Sequence, residues 1–274
     1  MTTGAVRPAA VVVDAAAPVA PAAPEGGRAG VSTPRGPYAA GMPSELRTLE
    51  PETDQPETDQ PETDLAFVRR ETELKPVPFV PEVGLHMAED AITLWETTEL
   101  ARGEVGLPPP FWAFAWAGGV AVARHVLDHP ELVAGRAVLD VAAGGGVVAV
   151  AAALSGAGSV RAAEIDAYAV AAIGLNAEAN GVRVEAALVD LVDGDGAPAD
   201  VVLAGDVFYE RAMAARFLPF LERAAARGAT VIVGDPGRAY LPRERFTALA
   251  AYQVPVVADL EDTAVKTTTV WRLG

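Results

Sequence analysis

The chain has 274 residues, of which 51% are hydrophobic and 21% are charged, a mix typical of a globular protein of one or two domains. Asp and Glu number 37 against 21 Lys and Arg, and the net charge of −16 argues against binding to a nucleic-acid backbone. The absence of cysteine excludes disulfides, thiolate nucleophiles and cysteine-ligated zinc. His125 and His129 are four residues apart, but no third ligand lies nearby in the sequence, so we expect no metal site.

The sequence predicts neither a secretion signal nor a membrane-spanning segment. Residues 1–30 offer only Arg7 before an apolar run that Asp14 interrupts, so a cytoplasmic location is expected. Residues 138–160 are strongly apolar, but Asp140 and five glycines interrupt them. This stretch is therefore predicted to form a buried strand, a turn and a helix rather than a membrane span.

Residues 1–64 are predicted to form a disordered tail, because they are rich in Ala, Pro, Gly, Glu and Thr and cannot bury a core. The unit Pro-Glu-Thr-Asp-Gln occurs three times from Pro51 to Asp64, the third time without its Gln. Ten acidic and four basic residues give the tail a charge of −6. Both a solvated spacer and an acidic docking arm fit this composition, and the spacer is the more common outcome.

An N-terminal helical extension, residues 65–135, is predicted to follow the tail. Apolar residues alternate with charged ones from Leu65, and Met87–Leu100 has the spacing of a helix. Three consecutive prolines end regular structure, and Phe111–Trp116 then contains four aromatic residues in six. These aromatic residues either belong to the core or form the wall of a ligand pocket, because they immediately precede a glycine-rich unit. A helix at Val120–Leu127 is predicted next.

Residues 136–274 alternate between strand-like and helix-like segments. Short, continuous apolar strands such as Val201–Ala204 are typical of a parallel sheet that is buried on both faces. This alternation predicts a doubly wound α/β sheet. The predicted elements are Ala137–Val141, Val147–Leu154, Val160–Ile165, Tyr168–Ala179, Val182–Leu188, Asp200–Ala204, Arg211–Ala225, Ala229–Val233, Pro242–Ala250, Tyr252–Val257 and Lys266–Leu273.

The strongest motif is the glycine-rich turn that follows the strand at Ala137–Val141. Such a turn lets a ligand approach the backbone, and the N–H groups of the next helix can donate to it. NAD, FAD and S-adenosylmethionine all fit this arrangement, but the G-x-G-x-x-G spacing of a dinucleotide site is absent. Asp140 precedes Gly144 and Gly146 instead, and this pattern resembles the D-x-G-x-G-x-G loop of class I S-adenosylmethionine-dependent methyltransferases.

Two carboxylates follow the next two strands. Glu164 stands where that class places the acid that accepts the ribose hydroxyls, a requirement that NAD and S-adenosylmethionine share. Asp166 is predicted to cap the following helix. Asp190 is expected either to accept from the adenine amino group or to be an ordinary loop aspartate.

A more specific resemblance rests on seven segments and covers the chain from Leu65 to the C-terminus. The sequence resembles the protein-lysine methyltransferases of the electron-transfer flavoprotein β-subunit and their bacterial relatives. The segments are Phe67–Thr72, Pro81–Val83, Trp112–Gly119, Leu127–Pro130, Gly205–Tyr209, Gly234–Arg238 and Thr268–Trp271.

The resemblance implies a Rossmann-like sheet of seven strands, six parallel and one antiparallel. It implies that Asp206 and Tyr209 form a D-x-x-Y motif that positions the acceptor amine. Without it, Asp206 would be read as the cap of the Arg211–Ala225 helix and Tyr209 as a buried ring. Trp116 is expected to pack on S-adenosylmethionine.

The remaining cofactor contacts are expected from the glycine-rich turn with its preceding acid and from the acids that follow the next two strands. Gly144 and Gly146 would admit S-adenosylmethionine. Its amino acid end, ribose and adenine would be held by Asp140, Glu164 and Asp190, respectively. The resemblance implies methylation of lysine in a protein substrate, and the flavoprotein β-subunit is the candidate that it names. A small-molecule N-methyltransferase and a non-catalytic cofactor-binding scaffold are the alternatives, because a fold does not define a substrate.

Two positions depart from the pattern of the family. Ala142 replaces the first glycine of the loop, and Ala117 replaces the proline that is usual between Trp116 and Gly118. A methyl group at Ala142 is harmless if φ there is negative and costs about 1–2 kcal/mol if φ is positive. Cofactor affinity could therefore be reduced.

Overall fold

The computed structural model describes residues 63–194, 198–256 and 263–274. The predicted tail therefore lies outside the described residues, except for its last two. Thr63 is the N-cap of the first helix, and its side chain accepts a hydrogen bond from the Ala66 N–H. Asp64 is the first residue of that helix.

The extension contains a β-hairpin as well as helices. Its elements are α1 (Asp64–Glu71), β1 (Glu73–Val77), β2 (Val80–Met87) and α2 (Ala91–Arg102). The sequence predicts a helix at Met87–Leu100, but α2 begins at Ala91, four residues later. Met87 instead pairs with Glu73 in the hairpin. Asp90 then caps α2 by accepting from the Thr93 N–H at 2.6 Å.

Seven strands form one sheet, in the order β5-β4-β3-β6-β7-β9-β8. β9 is antiparallel to both of its neighbours and the other six strands run in one direction, so the predicted mixed sheet is confirmed. The strand order reverses between β3 and β6, which places a ligand crevice at the carboxyl ends of these strands. The strands are β3 (Ala137–Val141), β4 (Ser159–Glu164), β5 (Glu185–Leu188), β6 (Val201–Gly205), β7 (Thr230–Asp235), β8 (Phe246–Pro255) and β9 (Val265–Leu273).

One segment differs from the sequence prediction. Pro242–Ala250 and Tyr252–Val257 are not separate elements, because a single 3₁₀ turn at Arg243–Arg245 leads directly into the ten-residue strand β8. The register of β8 against β9 shifts between Ala248 and Ala250. This irregularity breaks the alternation that would identify a strand in the sequence.

Helices cover both faces of the sheet. Along β6, Val201 and Leu203 pack with α3 and α4, whereas Val202 and Ala204 pack with α6 on the other face. The predicted burial of the apolar run Val201–Ala204 on both faces of the sheet is thereby confirmed. Within the described ranges no helix is long and apolar enough to cross a membrane. The helices of the sheet region are α3 (Ala117–Asp128), α4 (Val147–Leu154), α5 (Ala167–Ala179) and α6 (Arg211–Ala226).

Candidate active site

A cavity of about 730 Å³ opens where the strand order reverses. It lies at the carboxyl ends of β3, β4 and β6, and the loop between α2 and α3 forms its other wall. Six of the eight predicted site residues line it: Trp116, Gly144, Glu164, Asp190, Asp206 and Tyr209. Asp140 and Gly146 do not.

The glycine turn is held against the acid of the next strand. The Gly144 N–H donates to Glu164 Oε1 at 2.7 Å, and Gly144 has a φ of +55°. Gly145 is required for a reason that the sequence does not reveal, because a Cβ there would lie 2.6 Å from the Trp112 carbonyl oxygen. Gly146 has a φ of +82°, and a Cβ there would press on Ile173 of α5 at 3.1 Å. Its lack of a side chain therefore serves packing.

Asp140 is fully buried beneath the turn. Its Oδ2 accepts a hydrogen bond from the Ala149 N–H at 2.9 Å, and burial raises the pKa of this carboxyl to about 8. Asp140 lines a second cavity of about 60 Å³, which shares Gly144 and Asp206 with the larger one. Contact between Asp140 and a cofactor stays a prediction.

Glu164 ends β4 at the cavity wall. Its Oε2 accepts from the Ile165 N–H at 2.9 Å, and burial raises the pKa of its carboxyl. Each oxygen accepts one of these hydrogen bonds and so retains a lone pair for a ligand hydroxyl. Asp166 caps α5 by accepting from the Tyr168 N–H, as predicted. The sequence reasoning missed Ile165, whose exposed apolar side chain also lines the cavity.

Asp190 lines the cavity from the loop after β5, which β4 and β3 separate from β6 in the sheet. Its Oδ2 accepts from Arg216 Nη2 at 2.8 Å, and its Oδ1 accepts from the Val192 N–H at 3.2 Å. The hydrogen bond from Arg216 is the main cause of a lowered pKa at Asp190. The sequence offers no signal for Arg216, which reaches the cavity from α6, twenty-six residues later.

The aromatic segment contributes to both the core and the cavity. Trp112 and Phe114 are buried and pack in one hydrophobic cluster with α1 and α5. Phe111 and Trp116 instead meet at the cavity, with ring centroids 5.6 Å apart, and Trp116 Nε1 donates to the Phe111 carbonyl oxygen. The ring of Tyr209 lies 5.8 Å from that of Phe111. Trp112 also lines the cavity. Both sequence interpretations of this segment are therefore realised.

Asp206 adopts a backbone conformation that is rare for a residue with a side chain. Its φ is +56°, and its Oδ2 accepts from the Gly119 N–H at 3.0 Å. Its Oδ1 is buried without a hydrogen-bond partner among the described residues. Burial raises the pKa of this carboxyl to about 7. The interpretation of Asp206 as a helix cap is wrong, because Glu210 occupies the N-cap position of α6.

Glycines let the first turn of α3 rest directly on β6 and β7. A Cβ at Gly118 would collide with the Gly234 carbonyl oxygen and would lie 2.6 Å from Asp206 Oδ2. A Cβ at Gly205 would lie 2.5 Å from the backbone of Gly119. This close approach aims the N–H groups at the start of α3 toward Asp206, an arrangement that stabilises negative charge.

A loop after β7 brings Arg238 to the same place. Asp235 is fully buried, and its Oδ1 accepts from the N–H groups of Gly237 and Arg238 at 2.7 Å each. Arg238 Nη2 then lies 3.8 Å from Asp206 Oδ1, and Arg238 lines the cavity. The sequence contains this loop as a motif but reveals no role for Arg238.

The structure shows the sign of φ at Ala142, which replaces the first glycine of the loop. Its φ is +54°, so the alanine adopts the left-handed conformation that glycine tolerates. Ala142 also lines the cavity. Ala117 is the first residue of α3, a position at which proline is favourable because the first helical N–H has no helical acceptor.

The fold and the site together define a class of protein. A sheet of this order, a glycine turn without pyrophosphate spacing, and the acids Glu164 and Asp206 at the strand ends are those of a class I S-adenosylmethionine-dependent methyltransferase. The residues fit that cofactor, because Glu164 can accept two hydroxyl donors and Gly144 leaves the backbone open beside it.

Comparison with known proteins specifies the family. The family model "Ribosomal protein L11 methyltransferase (PrmA)" matches residues 125–232. The electron transfer flavoprotein beta subunit lysine methyltransferase of Danio rerio is 36% identical over 199 residues, which is 70% of this chain and 76% of that protein. That of Xenopus laevis is 32% identical over 215 residues, 75% and 85% of the two chains. The chain belongs to this family of lysine methyltransferases.

A solved structure with a similar fold is the Thermus thermophilus 16S rRNA N2 G1207 methyltransferase (RsmC) in complex with AdoMet and guanosine. It is 21% identical, with a TM-score of 0.44, over 70% of this chain and 47% of that chain.

Proposed function

We propose that this protein transfers a methyl group from S-adenosylmethionine to lysine side chains of a protein, and that its substrate is an electron-transfer flavoprotein β-subunit. The observation that carries the proposal is the buried Oδ1 of Asp206, which has no hydrogen-bond partner among the described residues and belongs to a cavity-lining side chain. An amine that enters the cavity can donate to this oxygen. The names of the relatives support the substrate. The cytoplasmic location stays a prediction.

We assign the cofactor to the part of the cavity between the glycine turn and Asp190. Trp116 would pack on it, Glu164 would accept from the ribose hydroxyls, and Asp190 would accept from the adenine amino group beside Arg216. Asp140, beneath the glycine turn, would hold the amino acid end of S-adenosylmethionine. When bound, S-adenosylmethionine supplies an electrophilic methyl group on a sulfonium, which becomes a neutral thioether after transfer.

The acceptor amine must lose its proton before it can attack. Removing that proton at pH 7 from a lysine of pKa near 10.4 costs about 4–5 kcal/mol. A lone carboxylate at Asp206 would increase this cost by stabilising the ammonium. Arg238, 3.8 Å from Asp206 Oδ1, offsets that effect by placing a positive charge beside the carboxylate. We therefore assign Asp206 and Tyr209 to amine positioning, with the proton released to water.

The test combines the purified protein, S-adenosylmethionine and a recombinant electron-transfer flavoprotein β-subunit, with mass spectrometry to locate added methyl groups. Methylated lysine is expected, and a β-subunit without added methyl groups would contradict the proposed substrate.

Glu164→Ala should weaken S-adenosylmethionine binding by about 1–3 kcal/mol, because two donors lose their acceptor. Glu185→Ala, at an exposed position of β5, is the matched control. Calorimetry that detects NAD binding and no S-adenosylmethionine binding would contradict the whole assignment.

A further inference from the structure

The helix α2 has an exposed outer face, on which Trp95 Nε1 donates to the Leu107 carbonyl oxygen of the following loop. It buries only Leu94 and Thr98. Its outer face, defined here as Ile92, Trp95, Glu96 and Leu100, has the spacing of one side of a helix. Ile92 is 68% exposed and Leu100 is 83% exposed.

Exposed apolar side chains are concentrated in this part of the molecule. Of the twelve large hydrophobic residues that are exposed in the described ranges, five lie within residues 92–111. These are Ile92, Trp95, Leu100, Val105 and Phe111. A local concentration of exposed apolar side chains marks an interaction surface more often than singly scattered ones do.

The surface is also acidic. Glu96 and Glu104 are exposed, and neither carboxylate forms an ion pair with any residue of the described ranges. The one basic residue of α2, Arg102, lies 3.0 Å from Asp64 and has its positive charge paired there. An approaching partner therefore meets apolar groups and negative charge.

The inner side of α2 and the loop that follows it form part of the cavity wall, so this loop connects the outer face to the cavity. Thr98 and Arg102 of α2 line the cavity, as do Glu104 and Leu107 of the loop that follows. That loop is fixed, because Glu99 Oε1 accepts from the N–H groups of Gly106 and Leu107. It leads to Phe111, whose ring contacts Trp116 and Tyr209 at the end of the cavity that contains Asp206.

We infer that the outer face of α2 and the loop to Phe111 form the docking surface for the protein substrate, and that they bind a basic segment with apolar side chains that carries the acceptor lysine. The inference rests on the proposed function. The partner is basic because the surface presents carboxylates that form no ion pair within the described ranges, and it carries apolar groups because no residue of those ranges covers Ile92 and Leu100. Docking here would present the lysine to the cavity without contributing to cofactor binding.

The test compares two substrates with the same enzyme. The double variant Ile92→Ala/Leu100→Ala should raise the KM for the recombinant flavoprotein β-subunit at least about tenfold, as expected for loss of apolar anchors. The kcat with the β-subunit and the KM for a short lysine-containing peptide should stay within about twofold, a free-energy change of under about 0.5 kcal/mol. Leu154→Ala, at an exposed residue that ends α4 at the opposite edge of the sheet, is the matched control and should leave both KM values unchanged.

Charge is tested separately with Glu96→Lys. This variant should raise the KM for the β-subunit and reduce the dependence of that KM on salt, because attraction between exposed charges is screened. Glu131→Lys, at a similarly exposed acid near the amino ends of the strands, should have neither effect.

Three results would overturn the inference. One is an unchanged KM for the β-subunit in the double variant. Another is an equal increase in KM for the β-subunit and for the peptide, which would place the defect in the active site. The third is a wild-type dimer that the double variant dissociates in sedimentation, because a second copy would then cover this face. If wild type methylates neither substrate, the proposed function fails, and that result is distinct from all three.

Discussion

Two residues at the cavity have the backbone conformation that is normally left to glycine. Ala142 follows β3 with a φ of 54°, and Asp206 follows β6 with a φ of 56°. The third non-glycine residue with positive φ in the described ranges is Phe79, in the hairpin turn of the extension. Strained backbone of this kind is concentrated at functional sites, where the surrounding packing maintains it.

Ala142→Gly should raise the free energy of unfolding by about 1 kcal/mol, because glycine has no Cβ to strain at positive φ. Denaturant unfolding monitored by tryptophan fluorescence measures the change. Ala143→Gly is the matched control, since Ala143 has no positive φ and glycine there only adds freedom to the unfolded chain. A stability of the Ala142→Gly variant at or below that of wild type would show that the surroundings relieve the strain.

Asp206→Asn and Tyr209→Phe should separate chemistry from cofactor binding. S-adenosylmethionine affinity should stay within about threefold of wild type, a change of under about 0.7 kcal/mol. Methyl transfer should fall on the order of a hundredfold, because the amine loses its alignment. Calorimetry and single-turnover assays measure the two quantities, and an equal loss in both would reassign these residues to cofactor binding.

The pH dependence of the Asp206→Asn variant tests the role of Asp206 further. Burial raises the pKa of Asp206 to about 7, so the group is protonated below that pH and charged above it. The wild-type rate should rise through pH 7 with this group and rise again as lysine deprotonates. The variant should retain only the second rise. Recovery of the variant to near wild-type rates at pH 9–10 would identify Asp206 as a general base instead.

At the scale of elements, the contact between α3 and the sheet organises the acceptor end of the cavity. Gly118 and Gly119 lie in the first turn of α3, and they rest on Gly205 of β6 and Gly234 of β7. Because no side chain separates the two layers here, the helix N-terminus comes close enough for the Gly119 N–H to donate to Asp206. The orientation of Asp206 therefore depends on residues that carry no functional group.

Gly118→Ala should destabilise the protein by more than about 2 kcal/mol, because the added methyl group overlaps backbone and cannot be relieved by a side-chain rotation. It should also reduce methyl transfer by displacing Asp206. Thermal unfolding and the transfer assay measure the two effects. Gly174→Ala is the control: its position in α5 is exposed and open, so alanine there should stabilise by about 1 kcal/mol. A Gly118→Ala variant as stable as wild type would contradict the proposed role of this contact.

At the scale of the molecule, the described residues from Thr63 onward contain the whole sheet and the cavity. A chain that lacks residues 1–61 should keep the melting temperature and the S-adenosylmethionine affinity of the full chain. The reason is compositional, since that segment lacks the apolar surface needed to offset its ordering entropy. Thr63 must be retained, because its side chain caps α1. Calorimetric scans of both chains provide the measurement, and a substantially lower melting temperature would disprove the predicted boundary.

The sequence by itself determined the sheet, the glycine turn and the acids at the strand ends. Short apolar runs that alternate with helical segments are typical of the inner strands of a covered sheet, and a turn after such a strand lies at its carboxyl end. Glu164, Asp190 and Asp206 therefore line one cavity although forty-two residues separate the first from the last. The β-hairpin of the extension and the continuous strand β8 were not predicted, because short turns and a register shift interrupt their alternation.

Only the tertiary structure decided how separate elements converge. It placed Phe111 and Trp116 at the cavity and buried Phe114 in the core, with Trp112 in both, and it brought Arg216 and Arg238 into the cavity wall. It also revealed why Gly145 and Gly205 have no side chain. The physical reason is that the closeness of two backbones and the reach of a long side chain depend on packing between elements distant in sequence, which no local pattern encodes.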